Sequence, residues 1–277
     1  MKKISILAVA FVAFLGVQNA QAWQNLAHGT VAYIAEQHLT PEAKAKCHYY
    51  LRHSLSFYAS WMDQWRGVEK YKDVNNAHSG VGLDDGVHYD MQGGTPAGRV
   101  VGHLVNALAE LGDGKYKNLP DSVVRQRLVN MAHYVGDMHC PSHTNFSKEA
   151  YPQYRYQLLK NGKKFNYHTF WDTSIGLKNR WNWTYEQLAA EIDVLTTEQV
   201  AKIQSGSIED WTFEFVQYGH RARKLTPPGT DVAHLTSEQE QAAAALADEA
   251  VVVGGYRLAY ILNTIFADKN IPVYNKK

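Results

Sequence analysis

The segment His133-Tyr-Val-Gly-Asp137-Met-His139-Cys-Pro141-Ser-His143 constrains this chain more than any other. His133 and Asp137 are four residues apart, so on a helix they share one face. Pro141 lacks the amide hydrogen a helix needs and stops it, which lets His143 turn back. Three side chains of metal-ligating type can then converge on one region. The segment reads either as a helix end that binds metal with further donors gathered round it, or as a helix with solvated histidines ended by Pro.

The rest of the sequence predicts a mostly helical domain. Apolar spacing marks a helix over 27–39, and Thr40-Pro41 starts another, with Thr as N-cap and Pro at the first helical position. Further helices are expected over 55–65, 99–111, 121–138, 185–190, 197–203 and 208–223. A last long helix opens at Ser237, with Ser237-x-x-Glu240 as a capping box, and runs to about residue 266. Residues 73–94 and 140–181 read as long, irregular loops, with one hairpin near 158–167. No linker separates two cores, so the expected fold is all-α, one domain with long metal-binding loops.

Met1-Lys2-Lys3, an apolar run over 4–17 and the Ala20-Gln21-Ala22 pattern have the layout of a secretory signal peptide. The apolar run is shorter than the roughly 20 residues that span a bilayer. The domain division is then 1–22 as leader and 23–277 as the mature chain, secreted or periplasmic and starting at Trp23. The formal charge is +1; losing Lys2 and Lys3 leaves 26 basic against 27 acidic side chains, or −1. A chain this neutral has no broad basic field with which to hold duplex DNA. Its two cysteines, Cys47 and Cys140, could form one disulfide in an oxidising compartment, and the sequence leaves that open.

Other donors are scattered. His168-Thr-Phe-Trp-Asp172 repeats the His-x3-Asp spacing. Asp63 lies between tryptophans in Ser60-Trp-Met-Asp63-Gln-Trp-Arg66, and His88 and Tyr89 lie in a Gly- and Asp-rich loop. Trp23 precedes His28 by five residues. Freed by cleavage, the Trp23 α-amine, with an ordinary pKa of about 7.7–8.0, can join its own carbonyl in chelating a metal. The remaining histidines, His38, His48, His53, His78, His103, His139, His220 and His234, show no such grouping or are set aside.

Together, Trp-x4-His, Ser-Trp-x-Asp-x2-Arg, His-Tyr, His-x3-Asp-x5-His and His-x3-Asp resemble, in order, the zinc-dependent single-strand-specific nucleases and 3′-nucleotidases, the S1/P1 nuclease family. More distantly they resemble bacterial zinc phospholipases C. The resemblance implies three zinc ions. Asp63, His88, His133 and Asp137 would hold one. His143, His168 and Asp172 would hold another. The amine and carbonyl of Trp23, His28 and a bridging oxygen of Asp137 would hold the third, all with donors zinc accepts. Three dications against three aspartates leave a charge of about +3 at one point, which attracts phosphate.

The implied chemistry is metal-assisted hydrolysis of single-stranded RNA or DNA and 3′-nucleotides. Asp63 would orient water, Arg66 would neutralise phosphoryl oxygens and Tyr89 would stack on a base. The chain is expected to act as a monomer without a membrane. The alternatives are a phospholipase C-like phosphoesterase and a non-catalytic periplasmic zinc-binding protein. Asp172 favours the nuclease branch, since the lipid relatives carry Glu there. The chain departs from the family at Gln24, in place of a common Gly, and at Met91, in place of a base-contacting Asp. Cys140 stands where a polar residue is usual and reads as a bystander thiol, a disulfide partner or a metal-sensitive site.

Overall fold

The computed structural model describes residues 23–65, 68–69, 82–83, 91–92, 95–96, 100–146 and 148–274. The predicted leader (1–22) lies outside them, as do Arg66, His88 and Tyr89. One helical domain results, as expected. Its helices are α1 (His28–Gln37), α2 (Pro41–Leu51), α3 (Leu55–Tyr58), α4 (Trp61–Gln64), α5 (Val100–Leu111), α6 (Asp121–His139), α7 (Tyr167–Thr173), α8 (Tyr185–Ile192), α9 (Thr197–Gln204), α10 (Ile208–Leu225) and α11 (Ser237–Phe266). No described helix is long and apolar enough to cross a membrane.

α11 is the axis. Its valine and leucine side chains are buried round most of its circumference, so it needs neighbours on every side. α1, α6 and α10 supply them. The closest approach is at Gly255, where a Cβ would stand 2.6 Å from Ile34 Cγ2 of α1. Glycine there lets two helix backbones draw together and brings α1, with His28 at its start, into the centre of the domain.

Local signals set most boundaries. Thr40 accepts a hydrogen bond from the Ala43 amide (3.2 Å) and caps α2, as its sequence requires. The hairpin pairs Leu158–Lys160 with Lys163–Phe165. Its two-residue turn, Asn161-Gly162, has both residues at positive φ, the conformation that matches strand twist.

Three expectations need correction. The capping box of α11 is Thr236 with Gln239, one residue ahead of Ser237 with Glu240. The stretch 55–65 is two short helices, α3 and α4, broken at Ala59-Ser60. Within the supposedly irregular 140–181 lies α7, capped by Asn166, whose side chain accepts from the Thr169 amide (2.9 Å). The last two corrections bear directly on the site.

Candidate metal centre

From Leu128 to His139 every residue of α6 is buried, including Asn130, His133, Asp137 and His139. Burying that many polar groups is costly unless each has a partner. Asn130 accepts from Gln126 (2.8 Å). His139 is also satisfied at both nitrogens. Nδ1 donates to Val135 O (2.7 Å) and Nε2 accepts from Arg257 (3.1 Å). Burial and the Arg257 charge push its pKa down to about 3, so it stays neutral and belongs to the core.

His133 and Asp137 face the other way. Asp137 is the hub. Its Oδ2 lies 3.2 Å from His133 Nε2, and its Oδ1 lies 3.3 Å from His28 Nε2 and 3.1 Å from His143 Nδ1. Asp63, on α4, approaches His133 Nε2 at 3.8 Å. The break at Ala59 explains the aim of His133, because its Nδ1 donates to the Ala59 carbonyl (2.8 Å) and so turns Nε2 towards the carboxylates. His28 and His133 stack with centroids 4.1 Å apart.

A second focus forms round Asp172 of α7. His143 Nε2 lies 3.5 Å from Asp172 Oδ1, and His168 Nδ1 lies 2.9 Å from Oδ2. The one-turn spacing within α7 makes the second contact, and the rings of His143 and His168 stack at 4.9 Å. His143 therefore bridges the two foci, one ring nitrogen towards each. The segment Trp23–Ala27 is a single π turn leading into α1 and packs against α7 and the turn Ser174–Gly176. In a π turn residues five apart come into register, which sets the backbone of Trp23 under that of His28.

The cluster's donors stand at spacings that could hold a metal. The donor atoms of His28, His133 and Asp137 lie within 4.8 Å of one another, as do those of Cys140, His143 and Asp172. His143 Nδ1 stands 3.1 Å from Asp137 Oδ1 without forming a hydrogen bond, so this nitrogen is packed against the carboxylate rather than aligned as a donor. Burial favours neutral groups throughout, yet it is outweighed. His133 and Asp137 work against it to hold the two forms charged. Asp137 and Asp63 raise His133, and Cys140 and Asp137 raise His143 well above the ordinary imidazole range. In return, His133 and His143 hold Asp137 well below the carboxylate range. His28 goes the other way, lowered by burial and by His133. Protons on imidazoles offset the buried carboxylates here, and a bound cation offsets them equally well while displacing those protons.

Gly136 makes room for this arrangement. A Cβ there would sit 2.2 Å from His28 Nδ1. Glycine costs a helix interior roughly 0.5–1 kcal/mol relative to alanine, so its presence marks the close passage of the His28 ring. Gly136→Ala should displace His28, lower stability by about 1–3 kcal/mol through overpacking and reduce the bound metal. Urea melts and elemental analysis check this; an unchanged metal content would show that His28 takes no part in binding.

The described predicted donors His28, Asp63, His133, Asp137, His143, His168 and Asp172 thus come together. Of Trp23 the backbone alone is described, while His88, Arg66 and Tyr89 lie outside the described residues. Cys47 and Cys140 are both free, buried thiols. The S1/P1 Nuclease family profile matches residues 23–267. The chain belongs to the S1/P1 nuclease family. Relatives include Nuclease S1 of Aspergillus oryzae, 23% identical over 75% of this chain and 73% of that protein. Nuclease P1 of Penicillium citrinum is 28% identical over 56% of this chain and 59% of its own length. Endonuclease 1 of Arabidopsis thaliana is 24% identical over 95% and 93%.

Beside the S1/P1 centre a cavity of about 460 Å³ opens between His168 and Arg223, walled by Tyr154, Arg155, Tyr156 and Tyr167. The Arg223 guanidinium lies 3.5 Å from the centroid of the Tyr167 ring, and its Nη1 is buried without a hydrogen-bond partner. Arg155 donates to the Phe146 carbonyl. Sequence reasoning missed this wall. Tyr154-Arg155-Tyr156 is an aromatic–basic interleave that could have flagged it, but Arg223 arrives from α10, far along the chain.

Proposed function

We propose that this S1/P1 family member is a secreted zinc phosphodiesterase that hydrolyses single-stranded RNA and DNA and 3′-nucleotides at the centre built on Asp137. The observation that carries the reading is one buried carboxylate touching three imidazoles, those of His28, His133 and His143. Asp63, His88, His133 and Asp137 would hold one ion, and His143, His168 and Asp172 a second. The amine and carbonyl of Trp23 with His28 would hold a third, sharing Asp137. Zinc, when bound, supplies Lewis acidity, bringing water's pKa to about 7 and concentrating positive charge where phosphate docks.

The chain's own groups do the rest. Asp137, kept ionised, accepts from both foci and fixes their separation. Asp63 accepts a hydrogen bond from the attacking water and orients it. Arg66 neutralises the phosphoryl oxygens as their charge grows. Tyr89 stacks on an unpaired base, a contact of about 1–3 kcal/mol that needs an unstacked strand. The tyrosine and arginine walls of the cavity beside His168 suit the flanking nucleotides in the same way. Secretion is supported by the leader-like start and by a family match that begins at Trp23.

The test compares denatured and duplex DNA before and after chelation. Nucleotide release from the denatured form, lost with chelator and regained with zinc, is expected. Diglyceride release from phosphatidylcholine would favour a phospholipase C, and a zinc-loaded protein inert on bis(p-nitrophenyl) phosphate would favour a binding protein.

A further inference from the structure

We infer that Cys140 is a zinc ligand, completing the site of His143 and Asp172 with a thiolate. The inference rests on the zinc reading above and concerns a residue that this reading leaves out. Cys140 is the first residue after α6. Pro141 follows it at the second position of a turn closed by His143 N donating to Cys140 O (3.0 Å). The turn folds the His143 ring back over the sulfur, so both side chains face Asp172.

The distances match a coordination shell. Cys140 Sγ lies 3.4 Å from Asp172 Oδ1, and His143 Nε2 lies 3.5 Å from the same oxygen. Zinc bonds of about 2.3 Å to sulfur and about 2.0–2.1 Å to nitrogen or oxygen, at tetrahedral angles, put such donors about 3.3–3.5 Å apart. The two observed separations match edges of that tetrahedron, and all three donor atoms lie within 4.8 Å of one another. Ser142 Oγ also donates to Asp172 Oδ1 (3.0 Å) and lies 3.2 Å from the sulfur. It orients the carboxylate from outside the ligand set. The sulfur is fully buried and His143 nearly so, and His143 turns its Nε2, not its Nδ1, into this pocket. Cys47 sits in α2, away from this cluster, and serves as an internal control.

Binding converts the thiol to thiolate and releases its proton to solvent. The added negative charge lowers the balance of three zincs and three aspartates from about +3 to about +2. With the soft thiolate of Cys140 in the donor set, a zinc beside His168 would be held more firmly than by nitrogen and oxygen alone.

The experiment replaces zinc with cobalt(II) in the mature protein and reads its near-ultraviolet spectrum alongside metal content. A thiolate-to-cobalt charge-transfer band is expected in the wild type and in Cys47→Ser, and its loss in Cys140→Ser. The first two proteins assign the band even if the third fails to fold. Full cobalt loading without the band, or a band that disappears in Cys47→Ser, would overturn the assignment of Cys140 while leaving the zinc reading intact. A protein that binds no metal would overturn both.

Discussion

Asp137→Ala should lose more than one zinc equivalent, and phosphodiesterase activity should fall by about a thousandfold or more. The reason is the sharing of a single carboxylate. Its two oxygens lie within 3.3 Å of nitrogens on His28, His133 and His143. Removing a side chain at the edge of the cluster, such as the half-exposed His168, takes one donor from one ion. On the proposed assignment, removing Asp137 takes donors from more than one, and it leaves His133 and His143 without the carboxylate that offsets them. Asp137→Asn separates loss of ligation from loss of folding, since it keeps the volume and gives up the charge. Elemental analysis of both variants, with circular dichroism as a control for folding, reads the result. Undiminished zinc content in a folded variant would defeat the shared role of Asp137.

How far this centre could be read in advance depended on whether its cause was local. α6 was legible because both of its determinants, the four-residue spacing of His133 and Asp137 and the stop at Pro141, lie within a dozen residues. The break between α3 and α4 was not, because Ala59-Ser60 carries no glycine or proline and a lone serine is a weak turn signal. What rewards the break is the Ala59 carbonyl accepting from His133, which lies 74 positions away. α7 was hidden for a different reason. Its seven residues are mostly aromatic or β-branched and weak in helix propensity, and packing round the buried Trp171, whose indole donates to Thr226 (3.1 Å), holds it in place. The His-x3-Asp spacing of His168 and Asp172 was itself the better sign of helix. The capping box slipped by one position because Thr236 and Ser237 can both cap, and only the Gln239 contact decides between them. The cavity wall was illegible in full, since Arg223 meets Tyr154 and Tyr156 only once α10 is folded against the hairpin region.

One residue added ahead of Trp23 should remove about one zinc equivalent and cut activity by about a hundredfold. The expectation follows from the proposed start of the mature chain at Trp23. The single π turn Trp23–Ala27 brings the backbone of residue 23 into register with His28 and against the helix that carries His168 and Asp172. A free amine at that point is a neutral donor once it has lost its proton, and an amide is not. Extension turns the first into the second without altering any side chain. The amine's ordinary pKa of about 7.7–8.0 gives the sign of a second effect. In the mature protein one zinc should weaken as pH falls through that range or lower, where protons compete for the amine; in the extended protein that competition should be absent. Zinc occupancy measured from pH 9 to pH 6, on chains beginning at Trp23 and at an added glycine, tests both effects together. Equal occupancy, equal pH dependence and equal turnover in the two chains would mean that the α-amine plays no part, and His28 would then share its ion with Asp137 alone.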